Sequence, residues 1–215
     1  ALSEIKHDTI LANGSLVINP GLMGSGYIWN KGIDVQNYNN GASNDISILE
    51  NKITIDDYAG IGINLQNSGA DTKATKNTID LNYGSTGIIV CGGSTALNGI
   101  AATNVNATVM EGNHVNGNSA LLGAEREDIA GIMVSNSQNQ QLNCNHIQNT
   151  RFGVLAQSEC LTTADGIKGN TMNNHVLGWV FRHLGTEGTF GNVGTLNDDN
   201  NNVFAGSGYN INGKI

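Results

Sequence analysis

Two short motifs alternate strictly along the chain, and this repeat restricts the possible folds more than any other feature. The first is a glycine followed by an apolar, any and an apolar residue, and its seven copies begin at Gly32, Gly60, Gly87, Gly131, Gly153, Gly178 and Gly208. The second is Asn-any-apolar, and its six copies begin at Asn51, Asn77, Asn113, Asn145, Asn170 and Asn202. Successive glycines lie 22 to 30 residues apart, with one interval of 44, so the repeat unit has about 25 residues.

The apolar residues within each unit alternate with a period of two, which is typical of strands. The strands follow one another too closely for a ten-residue helix to fit between them, so a helical solenoid is excluded. Stacked units made only of strands satisfy their backbone groups through their neighbours and bury their inward side chains. The repeat therefore predicts an all-β fold, a single-stranded parallel β-helix (solenoid) of about seven coils.

Each motif has a physical reason in such a stack. Asparagine tolerates the left-handed backbone conformation of a sharp bend, and a stacked asparagine can bond its equivalent one coil away. We therefore expect the six motif asparagines to form a ladder. Glycine can take a positive φ where a turn enters a strand, and we expect the glycine column to do so.

The domain organisation follows the repeat. Residues 1–31 fit it poorly and are predicted to be an atypical N-terminal coil or cap, whereas residues 32–215 are predicted to be β-helix repeats. Three insertions are expected in the loops, at 92–109, 116–130 and 184–199. The last glycine motif runs almost to Ile215, so we expect the chain to be part of a longer one.

With these columns the chain resembles the right-handed parallel β-helix repeats (pectin-lyase-like fold) of pectate lyases, polygalacturonases, phage tailspikes and large bacterial surface proteins. The resemblance covers Gly32 to Ile211 and implies right-handed winding, which parallel crossovers also favour. It does not indicate one chemistry, because this architecture has many functions. In the enzymes of the family, substrate lies along the outer face of one sheet against clustered acidic residues, often with calcium and an Arg or Lys.

The outward positions of the glycine strands test for such a cluster. With the apolar pair inward, the first outward column is predicted to be Asp34, Gly62, Ile89, Met133, Leu155, Val180 and Asn210. The second holds Gln36, Asn64, Cys91, Ser135, Gln157, Arg182 and Asn212. Glycoside hydrolysis needs two carboxyl groups about 5 to 10 Å apart, and Asp34 is the single acid in these columns. No catalytic residue is therefore predicted.

Four apolar residues are consecutive in the first column: Ile89, Met133, Leu155 and Val180. We call them the apolar stripe, with Gln157 and Arg182 beside it in the second column. An exposed apolar stripe usually indicates contact, so it is predicted to be an interaction surface. The insertion at 92–109, a partner chain or a ligand are the alternatives for what covers it.

Metal, cofactor and cysteine signals are weak. His114 and His146 follow the ladder asparagine in consecutive repeats and are expected to stack about 5 Å apart, close to the strand spacing, but they supply only two ligands, so no metal site is predicted. Asp198 and Asp199 are candidates for structural calcium, and no other cofactor is predicted. Three cysteines, Cys91, Cys144 and Cys160, show no CxxC or zinc spacing, and either one bridge or isolated thiols are compatible with them.

Charge limits the partners. Ten Lys and Arg against 18 Asp and Glu give a net charge of −8, which disfavours nucleic acid. No apolar run is long enough to span a membrane. We therefore expect a non-catalytic β-helix module of a secreted or cell-surface protein, acting as a rigid stalk or adhesive surface, with neighbouring domains, another protein or a glycan as partner. The alternative is a polysaccharide lyase or hydrolase, or a carbohydrate-binding β-helix.

Overall fold

The computed structural model describes residues 3–13, 30–36, 46–56, 60–67, 72–82, 97–118, 129–182, 202–205 and 209–213. Every regular element in these segments is a strand, and none of them forms a helix that is long and apolar enough to cross a membrane. The strands are β1 (Ser3–Lys6), β2 (Thr9–Asn13), β3 (Asn30–Gln36), β4 (Ile46–Leu49), β5 (Lys52–Asp56), β6 (Gly60–Gln66), β7 (Thr72–Thr75), β8 (Thr78–Asn82), β9 (Leu97–Thr103), β10 (Val109–Glu111), β11 (His114–Asn116), β12 (Ile129–Asn143), β13 (His146–Gln148), β14 (Phe152–Lys168), β15 (Thr171–Asn173), β16 (Leu177–Arg182), β17 (Val203–Ala205) and β18 (Tyr209–Gly213).

Each strand pairs in parallel with the equivalent strand of the next repeat, and the pairs form three sets. The first set, the glycine strands, is β3, β6, β9, the beginning of β12, the beginning of β14, β16 and β18. The second is β1, β4, β7, β10 and the ends of β12 and β14. The third, the asparagine strands, is β2, β5, β8, β11, β13, β15 and β17. The prediction of an all-β fold with parallel sheets is confirmed.

One apolar core lies between the three sets. It is built from alternating inward residues, such as Ile53 and Ile55 on β5, which are fully buried. Of the inward residues expected from the repeat, Ile63 and Val134 are 0% and 3% exposed. Val90 and the side chain of Phe181 lie outside the described residues. Alternating burial of this kind is what stacked, half-buried strands require.

The register of the glycine column differs from the predicted one in three repeats. In the last of them Asn210, and not Gly208, lies opposite Gly178, and Gly208 lies outside the described residues. Gly32 on β3 lies opposite Gly62 on β6, and not opposite Gly60. Gly62 in turn lies opposite Gly99 on β9, where Gly87 had been predicted. Gly87 lies outside the described residues. The insertion expected at 92–109 is therefore wrong, because residues 97–103 form a strand of the first set and 109–111 a strand of the second.

The glycine column had been expected to take positive φ, and this expectation is wrong. The column positions are glycine because a side chain there would have no space. A Cβ on Gly99 would lie 2.5 Å from the backbone oxygen of Gly131 and 2.5 Å from Cγ1 of Val115, a core residue of β11. No φ in the left-handed range occurs at Gly32, Gly62, Gly99, Gly131 or Gly153. Two consecutive residues, the glycine and the residue after it, face the core, as Gly99 and Ile100 do. This interrupts the usual alternation of a strand, as a β-bulge does, and the residue before the glycine faces outward.

Candidate functional site

The motif asparagines form a continuous ladder along the inner edge of the asparagine strands. The Oδ1 atom of Asn77 accepts hydrogen bonds from the backbone N and from Nδ2 of Asn51, both at 3.0 Å. Nδ2 of each ladder residue also donates to a backbone oxygen of the preceding repeat, as Asn145 does to Met110 at 2.8 Å. The same pattern joins Asn77, Asn113, Asn145, Asn170 and Asn202. The predicted ladder is confirmed.

Asp8 extends the ladder by one repeat, which the sequence analysis missed. Its backbone N donates to Oδ1 of Asn51 at 3.0 Å, and its backbone oxygen accepts from the amide of Lys52. The signal was present in the sequence, since Asp8-Thr9-Ile10 is the Asn-any-apolar motif with Asp in place of Asn. Strands β1 and β2, on either side of Asp8, pair in register with β4 and β5.

The left-handed backbone conformation is not at the ladder asparagines, so that expectation was wrong. It occurs at the residue before Asp8 and before five of the six ladder asparagines: His7, Glu50, Lys76, Gly112, Cys144 and Gly169, with φ between 54° and 66°. The residue before Asn202 lies outside the described residues. This bend turns the chain so that the asparagine side chain enters the core. Every polar atom of a central ladder residue then has a partner, which removes the cost of burying it.

The outer face of the glycine strands is the surface on which a binding site was predicted. In the observed register its central column is Asp34, Asn64, Ala101, Met133, Leu155, Val180 and Asn212. Asn64, Ala101 and Asn212 take the places that had been predicted for Gly62, Ile89 and Asn210. Ile89 lies outside the described residues. The neighbouring column is Gln36, Gln66, Thr103, Ser135, Gln157 and Arg182, and the Arg182 side chain is not described. Asp34 is the one acidic residue of this face in the described part of the chain.

The apolar half of this face is a second hydrophobic cluster, separate from the core. Leu155 and Val180 are 6% and 4% exposed although they face outward, and Met133 is half-buried. The column on the other side adds Ala130, Phe152 and Leu177, which the sequence analysis missed. Each of these three residues precedes a column glycine, so extending the motif to apolar-Gly-apolar would have found them. The described members of the stripe, Met133, Leu155 and Val180, therefore belong to a largely buried apolar block, and Ile89 lies outside the described residues.

The polar half of the face is centred on Asp34. Its Oδ1 accepts from Nδ2 of Asn64 at 2.7 Å, its Oδ2 accepts from Nζ of Lys31 at 3.0 Å, and Nε2 of Gln36 donates to both oxygens. Burial alone would raise the pKa of Asp34, but these hydrogen bonds and the Lys31 charge outweigh it and hold the pKa below its ordinary value. We call Lys31, Asp34, Gln36 and Asn64 the polar patch.

The remaining predicted residues fall elsewhere. Among the residues that the structure describes, no group of three or more His, Cys, Asp or Glu side chains is placed to hold a metal ion. Asp198, Asp199, Cys91 and the side chain of Cys160 lie outside them. The calcium candidate therefore stays a prediction, and for Cys91 and Cys160 the two alternatives, a bridge or isolated thiols, both stand. Cys144 is an exposed free thiol.

The parallel strand sets and the ladder define the class of this chain as an all-β repeat protein with stacked parallel strands. Comparison with family models, with curated proteins and with solved structures finds no match in any of the three. The function is therefore inferred from the residues and their geometry.

Proposed function

We propose that the chain is a right-handed parallel β-helix of about seven coils that serves as a non-catalytic module of a secreted or cell-surface protein. Three strand sets that each pair only with the next repeat favour a winding chain with three faces. Right-handed winding is the usual sense of parallel crossovers. The pectin-lyase-like resemblance supports the same winding and an extracellular location.

The observation that carries the stalk function is the unbroken ladder from Asp8 to Asn202. At each of its six steps a backbone N–H donates to the Oδ1 atom of the next ladder asparagine at 3.0 Å, and these bonds are buried from Asn51 to Asn170 and part-buried at the two ends. Stacked repeats with one core and satisfied polar groups resist bending, because bending must break core contacts and ladder bonds together. A rod of this kind holds neighbouring domains, or a binding surface, at a fixed distance.

Glycan binding is the second candidate, and the polar patch favours it. Carboxylate, amide and ammonium groups lie within hydrogen-bond distance of one another on an outer face, beside the half-buried Gln66. Such groups can exchange their mutual bonds for bonds to sugar hydroxyls. Hydrolysis by the same patch is not favoured, because it offers one carboxylate, kept ionised by three partners, where hydrolysis requires a pair.

A glycan array followed by native mass spectrometry tests the binding proposal. We expect bound glycan to be lost on Gln36→Ala and Asp34→Asn and to be retained on Glu111→Gln, an exposed carboxylate change on β10. Incubation with pectate, alginate, xylan and chondroitin, with and without calcium, should release no unsaturated or reducing ends. Turnover abolished by Asp34→Asn would replace the module by an enzyme, and binding insensitive to both patch variants would remove the glycan candidate.

A further inference from the structure

Two histidines face outward side by side on the asparagine strands. His114 on β11 pairs in register with His146 on β13, and their ring centroids are 4.7 Å apart with the rings tilted by 51°. His114 is exposed and His146 is half-buried. Two ring nitrogens that share one metal ion at about 2.0 to 2.1 Å each lie roughly 3 Å apart. Small rotations of the two rings bring one nitrogen of each to that separation.

The surroundings favour one metal-binding nitrogen on His146. Its Nε2 lies 3.3 Å from Oε1 of Gln148, and an amide oxygen only accepts, so Nε2 carries the proton in this contact and Nδ1 keeps its lone pair. Gln148 is itself held, because its Nε2 donates to Oδ1 of Asn116 at 3.2 Å. Metal-binding histidines commonly donate their second nitrogen to an oxygen in this way, which fixes the ring orientation.

Charge favours a cation at the same place. Burial and the neighbouring His146 lower the pKa of His114, while Asp80 opposes them. Asp80 lies one repeat away, where its Oδ1 is 3.4 Å from Nδ2 of Asn116, and the chain carries a net charge of −8.

We propose that His114 and His146 together form a two-imidazole site for a divalent late first-row transition metal ion, with water in the other coordination positions. Imidazole suits copper, nickel and zinc, whereas magnesium and calcium prefer oxygen ligands. The site is independent of the polar patch, which lies on the glycine strands. Two protein ligands predict a reversible, moderate-affinity site on the surface.

Calorimetric titration with NiCl₂ and with CuSO₄ tests the site. We expect each of His114→Gln and His146→Gln to weaken Ni²⁺ binding by about tenfold or more, because either change removes the gain from two linked ligands. His7→Gln is the matched control, since His7 contacts Glu50 near the N-terminal end of the ladder, three repeats from His114, and it should leave the affinity unchanged. Copper should bind more tightly than nickel, and MgCl₂ and CaCl₂ should not compete.

A gain-of-function variant uses the register. Thr78 is paired with His114, and Thr171 with His146, in the same outward column. Thr78→His or Thr171→His therefore places a third imidazole one strand away and should tighten Ni²⁺ binding by about tenfold, with circular dichroism confirming an unchanged fold. Single-histidine variants that bind Ni²⁺ within twofold of the parent would overturn the proposal, as would a third histidine that leaves the affinity unchanged in both variants.

Discussion

The ladder makes a quantitative prediction at Asn145. Its Oδ1 accepts from the backbone N and Nδ2 of Asn113, both at 3.0 Å, and its Nδ2 donates to Met110 at 2.8 Å and to Oδ1 of Asn170 at 3.0 Å. Asn145→Ala removes all four bonds at once. The buried backbone N–H of Asn113 is left without its acceptor, while Asn170 Oδ1 keeps the bond from the Asn145 backbone.

One fully orphaned buried group costs about 1 to 3 kcal/mol, and the weakened bonds at Met110 and at Asn113 Nδ2 add to it. We therefore expect Asn145→Ala to lower the free energy of unfolding by about 2 to 4 kcal/mol, measured by urea denaturation with the slope checked for a change in cooperativity. Asn82→Ala is the control, because Asn82 is exposed at the end of β8, and its effect should stay within about 0.5 kcal/mol. Equal effects of the two substitutions would refute the structural role of the ladder.

Three further predictions concern the glycine strands. Gly99→Ala should cost about 3 kcal/mol by crowding Gly131. Gly112→Ala, before the ladder residue Asn113, is the comparison: its Cβ would make only ordinary contact with Lys76 at 3.6 Å, and its φ of +64° should cost about 1 kcal/mol, both measured by urea midpoints. Leu155→Ala should cost about 2 to 4 kcal/mol although Leu155 faces outward, and a melting temperature equal to the parent's would contradict its burial. The lowered pKa of Asp34 stabilises the fold above its ordinary value of 3.8, and this contribution is lost as pH falls through the folded pKa. Between pH 7 and pH 2 the melting temperature of Asp34→Asn should therefore fall less than that of the parent chain. An equal fall in the two chains would contradict this prediction.

The ladder was predictable because one residue type repeats at one position for one reason. An asparagine amide has two donors and two acceptor sites, which the stack uses completely, so substitutions are rare along the column. Only the end of the ladder departs from the pattern. Asp8, the first residue of the described ladder, has no side-chain donor, and it is exposed.

The glycine register was predicted only in part. The motif is ambiguous in two repeats, and in a third the column position is Asn210, two residues after the predicted Gly208. The motif begins at both glycines of Gly60-Ile61-Gly62-Ile63-Asn64-Leu65. Gly62 is the residue in the column, because a Cβ there would lie 2.5 Å from Cγ2 of Ile79 and 2.6 Å from the backbone oxygen of Gly99. The motif at Gly87 is equally good as a pattern, but Gly99 makes the repeat lengths more even. The spacing of the motifs does not identify which glycine lies in the column, whereas the close packing of the strands permits only one choice.

The burial of Met133, Leu155 and Val180 was not predictable from the sequence pattern. Outward apolar residues on a repeat have the same sequence whether water, another chain or the chain itself covers them. The left-handed backbone conformation at the position before the ladder residue was not predictable either, because residue types as different as Glu50, Lys76 and Cys144 occur at that position. The bend there is imposed by the ladder bonds of its neighbour and not by its own side chain.

Disulfide trapping across the first strand set tests the stacking register most directly. Thr103 and Ser135 are register partners on β9 and β12, and neighbouring strands lie about 4.8 Å apart, within the range that a disulfide spans. Thr103→Cys with Ser135→Cys, in a chain whose three native cysteines are replaced by Ser, should form a disulfide detectable by peptide mass spectrometry. Gln66→Cys with Ser135→Cys in the same background should not, because these two residues lie in the same column two strands apart. Efficient trapping of the second pair, and none of the first pair, would contradict the stacked register described for this protein.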